Sequence, residues 1–110
     1  MFNNSFLKKL NILFIESNDE DRKHFSNILY KFFNNVVVCS NGKDGIDNFL
    51  EKRQEYFLDI IICDKTLEDI TGIEVLKKIR EIDSEIPFII TSPKIEVDDL
   101  LIAIKYKATD

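Results

Sequence analysis

Two carboxylates stand out by where they fall along the chain. Glu16 follows the run Leu10-Asn11-Ile12-Leu13-Phe14-Ile15, and Asp64 follows Leu58-Asp59-Ile60-Ile61-Ile62-Cys63. Each run is short, mostly apolar and β-prone, as in a strand buried on both faces. Each acid therefore sits at the carboxyl end of a strand, the edge at which open parallel sheets bind their ligands. If the two strands are neighbours, the carboxylates converge. Paired oxygen anions at an accessible rim attract a hard cation such as Mg²⁺, held by few protein ligands and several waters. Such a cation draws in a phosphoryl group, which Asp64 could attack to form an aspartyl phosphate. The plainer reading is that strands end at the surface and that Asp favours turns. The abrupt change from Ile-Ile-Ile-Cys to Asp makes Asp64 the stronger candidate of the two.

The elements that must place these acids follow from the spacing of apolar residues. After Glu16, the polar cluster Ser17-Asn18-Asp19-Glu20-Asp21 precedes Phe25, Ile28, Leu29, Phe32 and Phe33, one stripe of a helix. The acids at 19–21 suit a helix N-terminus, where their charge meets the backbone dipole. Val36-Val37-Val38-Cys39 reads as a second strand, and Asn41 can cap a helix that turns Ile46, Phe49 and Leu50 inward. The third strand stops at Asp64. Beyond a loop at 65–71, a helix is expected to bury Ile73, Leu76, Ile79 and Ile82. Pro87-Phe88-Ile89-Ile90-Thr91 forms a fourth strand with proline at its first residue, where a missing N–H is tolerated. Val97, Leu100, Leu101 and Ile104 give a fourth helix. Four β-α units in succession predict an α/β fold, a parallel sheet with helices on both faces. Residues 1–9 read as a lead segment and 10–110 as one domain.

Composition narrows the classes further. A chain of 110 residues with 45% hydrophobic content fits one domain with a core of its own. Fifteen Lys and Arg against 20 Asp and Glu leave a net charge of −5, which argues against a surface that holds phosphate backbones. No stretch approaches the roughly 20 apolar residues of a membrane span, and the first nine residues lack a signal-length apolar run. Cys39 and Cys63 each lie in an apolar run and read as small buried hydrophobes of a reducing compartment. With His24 the only histidine, a zinc site is all but excluded. The expectation is a soluble, cytoplasmic protein.

Four segments together resemble the receiver domain of two-component response regulators. They are Ile12-Leu13-Phe14-Ile15-Glu16, Asp59-Ile60-Ile61-Ile62-Cys63-Asp64, Gly72-Ile73-Glu74-Val75-Leu76-Lys77-Lys78-Ile79-Arg80 and Ile86-Pro87-Phe88-Ile89-Ile90-Thr91-Ser92. Each is weak alone, but the ordered set at matching separations spans nearly the whole chain. The resemblance implies a flavodoxin-like, doubly wound sheet, with family strand order 2-1-3-4-5. It makes Asp64 the phospho-acceptor, charged by a histidine kinase or phosphotransfer protein. It makes Glu16 the first acid of a pair that helps bind Mg²⁺, and has Thr66 offer its backbone carbonyl to the same metal. Ser92 matches the switch hydroxyl that turns toward the phosphoryl group, although by itself it reads as a cap or turn residue ahead of Pro93. Gly72 matches the glycine that closes the loop before the third helix. The implied protein is a phosphorelay switch rather than an enzyme, its catalysis limited to self-phosphorylation and autodephosphorylation at Asp64.

The departures from the family pattern carry their own expectations. Ser17 stands where the second acid is usual. At an effective dielectric near 20, unit charges about 4 Å apart interact by about 4 kcal/mol, so a missing carboxylate weakens Mg²⁺ binding. Asn18 or Asp19 could compensate through a water. Glu68 replaces a frequent proline, and Lys65 beside the acceptor reads first as a solvated loop lysine. The family's fifth strand and helix, with their lysine and aromatic switch residue, are not found before Asp110; Tyr106 belongs to the preceding helix. An exposed fourth strand would then favour self-association, as a homodimer or by exchange of elements. Two rival readings follow. Cys63-Asp64-Lys65-Thr66 resembles the aspartyl-phosphate motif of cation-pumping ATPases, but Leu67-Glu68 follows where Gly-Thr is required. A degenerate pseudo-receiver, an interaction module that works without phosphorylation, draws on Ser17 and the absent lysine.

Overall fold

The short runs are almost continuously apolar, and in an extended chain successive side chains point to opposite faces, so each run supplies apolar residues to both faces of a sheet. A computed structural model describes residues 4–92, 98, 100–102 and 104. In chain order the elements are α1 (Asn4–Leu7), β1 (Asn11–Ile15), α2 (Asp19–Phe32), β2 (Asn35–Cys39), α3 (Gly42–Lys52), β3 (Ile60–Asp64), α4 (Gly72–Ile82) and β4 (Phe88–Thr91). All strand pairs are parallel, in the order β2-β1-β3-β4. The predicted flavodoxin-like α/β architecture is the observed one.

The sheet is buried on both sides. One core joins Ile12, Phe14, Ile60, Ile62 and Ile89 to Leu29 and Phe33, and to the helical residues Leu100, Leu101 and Ile104. The other joins Leu13, Ile15, Ile61, Cys63 and Phe88 to Phe49 of α3 and to Val75 and Ile79 of α4. Val97, also expected in the last helix, lies outside the described residues. Burial pushes the Cys39 thiol up to about 11 and the Cys63 thiol up to about 12, with nearby carboxylates adding to the effect. Both sulfurs are thus held as inert thiols. Among the described residues no helix is long and apolar enough to cross a membrane.

Two expected helix faces are turned. Ile73 and Ile82 of α4 are 44% and 36% exposed, while Val75 and Ile79 are buried and Leu76 is half-buried. Steps of three residues advance 300°, so the series 73, 76, 79, 82 walks halfway round the helix and its ends leave the core. In α3, Leu50 is 40% exposed because Gly42, Gly45 and Phe49 form the inward face. Gly45 lies so close to β1 that a Cβ there would overlap Ile15. The lead segment supplies one core residue, Leu7 of α1, which is fully buried. The expected cap forms, Asn41 Oδ1 accepting the Asp44 N–H, and two more are added: Asn18 Oδ1 accepts the Asp21 N–H and Thr71 Oγ1 that of Glu74.

Candidate functional site

The β1–β3 register pairs Ile15 with Cys63, so the next residue on each strand is an acid, Glu16 or Asp64. Strand parity sets their face: Ile12, Phe14 and Glu16 alternate on one side, as do Ile60, Ile62 and Asp64. The two carboxyl groups lie close enough that each alters the other's hold on its proton. Both residues are buried, 6% and 7% exposed, which is unusual for acids without a cationic partner.

Their surroundings explain how two negative charges are tolerated there. Glu16 is pushed up to about 7, first by burial and then by the charges of Asp64 and Asp21, against the pull of the Asn18 N–H on its carboxylate. That N–H reaches Oε2 at 3.1 Å. Asp64 is also raised, chiefly by burial, but the backbone N–H groups of Thr66 and Lys65 and the hydrogen bond from Glu16 work to keep it ionised. Burial therefore raises both carboxyls, and the Asp64 charge adds to the rise at Glu16.

Loop 65–71 is built around Asp64. Lys65 N donates to Thr91 O at 2.8 Å, Gly72 N donates to Lys65 O at 2.9 Å, and an antiparallel bridge joins Thr66 to Thr71. A Cβ on Gly72 would stand 2.5 Å from the carbonyl oxygen of Asp64, so only glycine lets α4 start this close to the acceptor strand. The Gly72→Ala variant is expected to lose about 2 kcal/mol or more, because the colliding atom is backbone and cannot swing away. A fall in the urea midpoint with an unchanged m-value checks this; an unchanged midpoint refutes it.

Of the residues expected at the site, Glu16 and Asp64 come together, and Thr66 adjoins them through its amide. Ser92 lies one residue beyond β4 and is exposed. The residue in register with Asp64 is Thr91, a buried hydroxyl on the same face as Ile89 and Asp64. Sequence reasoning passed over it, although counting strand parity from Ile89 would have found it. Neither expected compensator for Ser17 is free. Asn18 caps α2, and Asp19 pairs with Arg22 at 2.6 Å. Arg22 Nη1 also donates to the carbonyls of Glu16 and Ser17 and so fixes the loop after β1. The further charge felt by the pair is that of Asp21.

These donors suit a divalent cation of the Mg²⁺ kind. Two hard carboxylate oxygens crowd one another there, and a cation would relieve that crowding. Among the described residues no group of three or more His, Cys, Asp or Glu side chains gathers to hold a metal.

A sequence model of the response regulator receiver domain matches residues 12–110. The chain belongs to this receiver family. Curated relatives include the response regulator ArlR of Staphylococcus aureus, 36% identical over 76 residues, or 69% of this chain and 32% of ArlR. Another is the 3′,5′-cyclic-nucleotide phosphodiesterase regA of Dictyostelium discoideum, 31% identical over 76% of this chain and 11% of that protein. The receiver thus spans about a tenth to a third of the length of these relatives. Among solved structures, a response regulator receiver domain protein from Clostridium thermocellum superposes with a TM-score of 0.81 at 19% identity, covering 91% of this chain and 94% of that one. A receiver protein from Sinorhizobium medicae gives 0.76 at 18% identity, covering 94% and 97%. At these identities the structural likeness is one of fold.

Proposed function

We propose that this receiver takes a phosphoryl group onto Asp64 from a phosphohistidine of a kinase or phosphotransfer protein. The observation that carries the reading is the buried Glu16–Asp64 pair at the carboxyl ends of adjacent strands. In the step, an Asp64 carboxylate oxygen attacks phosphorus, the P–N bond breaks, and the donor imidazole leaves with the electron pair and regains a proton from water. Loop 65–71, held at its base by the Lys65 N–H on the Thr91 carbonyl and by the Thr66–Thr71 bridge, fixes the backbone that presents Asp64. Glu16, Asp64 and the Thr66 carbonyl would hold Mg²⁺, which when bound offsets the negative charge of the incoming phosphoryl oxygens.

Ser92 and Thr91 are the hydroxyls at hand to report the phosphoryl group. A turn of that region would shift the surface around β4 between two pre-existing arrangements. On this reading the protein is a switch, turning over nothing except its own aspartyl phosphate, and it works in the cytoplasm beside its kinase. Incubation with Mg²⁺ and acetyl phosphate or beryllofluoride, followed by mass and fluorescence, tests it. A change that depends on Asp64 supports the reading, and none retires it.

One observation favours a second reading, a pseudo-receiver that binds its partner without phosphorylation. Ser17 brings no charge to the site, and its hydroxyl is engaged by other loops. The same incubation decides between the two.

A further inference from the structure

The Ser17 hydroxyl, which replaces a charge at the site, makes two long-range contacts of its own. Its Oγ donates to the carbonyl of Ser40 at 2.7 Å and accepts the N–H of Glu68 at 2.9 Å. Ser40 follows β2 and Glu68 belongs to the loop after β3, so one oxygen joins the loops that leave three adjacent strands. The next residue adds a second tie. Asp69 Oδ1 and Oδ2 accept the N–H groups of Gly42 and Lys43 at 2.8 and 2.9 Å, on the first turn of α3. Loop 65–71 is closed at its base by the Thr66–Thr71 bridge and pinned at its tip by these contacts.

A hydroxyl does both jobs at position 17 with a single atom. A carboxylate could accept from Glu68 but has no proton for the Ser40 carbonyl, and an alanine leaves both partners without it.

We propose that Ser17 is a positioning residue: its hydroxyl fixes loop 65–71, whose base is held by the Lys65 N–H on the Thr91 carbonyl and by the Thr66–Thr71 bridge, in the arrangement that presents Asp64. The site trades one metal-attracting charge for an acceptor loop set in place before any ligand arrives. The proposal deepens the phospho-acceptor reading, since Asp64 is the group so served, but its test needs neither metal nor phosphoryl donor.

The full chain, free of Mg²⁺, is followed by NMR. In Ser17→Ala the Glu68 amide should exchange about five- to tenfold faster, the effect of one lost hydrogen bond. The Lys65 and Thr66 amide protons should move upfield as the bond to the Thr91 carbonyl and the Thr66–Thr71 bridge at the base of the loop loosen. Ser17→Thr, which keeps the hydroxyl, should restore all three. Faster exchange at Glu68 with unmoved Lys65 and Thr66 would reduce Ser17 to a structural tie and overturn the proposal. So would a folded Ser17→Ala with no change at any of the three, or a Ser17→Thr that fails to rescue. Failure of the phospho-acceptor reading would appear instead as absent labelling with these amide effects intact.

Discussion

Asp64→Asn is expected to abolish phosphorylation by acetyl phosphate, to the limit of detection by mass, while leaving the protein folded. Asparagine keeps the shape but is no longer a nucleophile. It also removes one of two crowded carboxylates from a buried edge, relieving the repulsion that raises Glu16. The melting temperature without metal should therefore hold or rise. A variant labelled as fast as the wild type would place the acceptor elsewhere. A wild-type chain that takes no label in Mg²⁺ would favour the pseudo-receiver.

Glu16→Gln is expected to separate metal binding from stability. Glu16 is raised to about 7 in the folded protein from an ordinary 4.5. The native state thus binds the proton more tightly than the unfolded chain does. Its stabilising contribution is complete below the unfolded value, shrinks as pH climbs, and is gone once pH passes the folded value. Screening at this solvent-touching rim reduces the effect to about 1–2 kcal/mol. Without metal, the wild type should be that much less stable at pH 8 than at pH 5 on this account, with Asp64, also raised, sloping the same way. Glutamine should flatten the slope and raise the melting temperature at pH 8 by several degrees. It should also weaken Mg²⁺ by about 10–100-fold, since half of the carboxylate charge at the pair is lost. Calorimetric titration against pH checks both. Wild-type affinity should climb through neutrality as the Glu16 proton leaves, and Glu16→Gln should show little of that climb. Equal Mg²⁺ affinity in the two proteins would remove Glu16 from the metal site.

Much of this was legible in the residues because short apolar runs and strand-end acids are local signals. Glu16 and Asp64 could be placed at one rim from two strand ends and the rule for open parallel sheets. The helix faces were less legible. The interior of α4 is set by the backbone approach at Gly72, a tertiary constraint that no count of isoleucines reveals. The roles of Ser17 and Asp69 were hidden for a similar reason. Each bonds to a residue 23 to 51 positions away, and hydrogen bonds of that range leave no trace in spacing. Thr91 was hidden only by attention to its neighbour.

Leu7 has a practical bearing on where this unit is cut. The family resemblance starts at residue 12, yet Leu7 fills space against the first sheet face with none of its surface in water. A version trimmed to the boundary of the resemblance would keep every residue that the family shares and open a hole beneath β1. The inherited segment and the segment that folds differ here by one short helix.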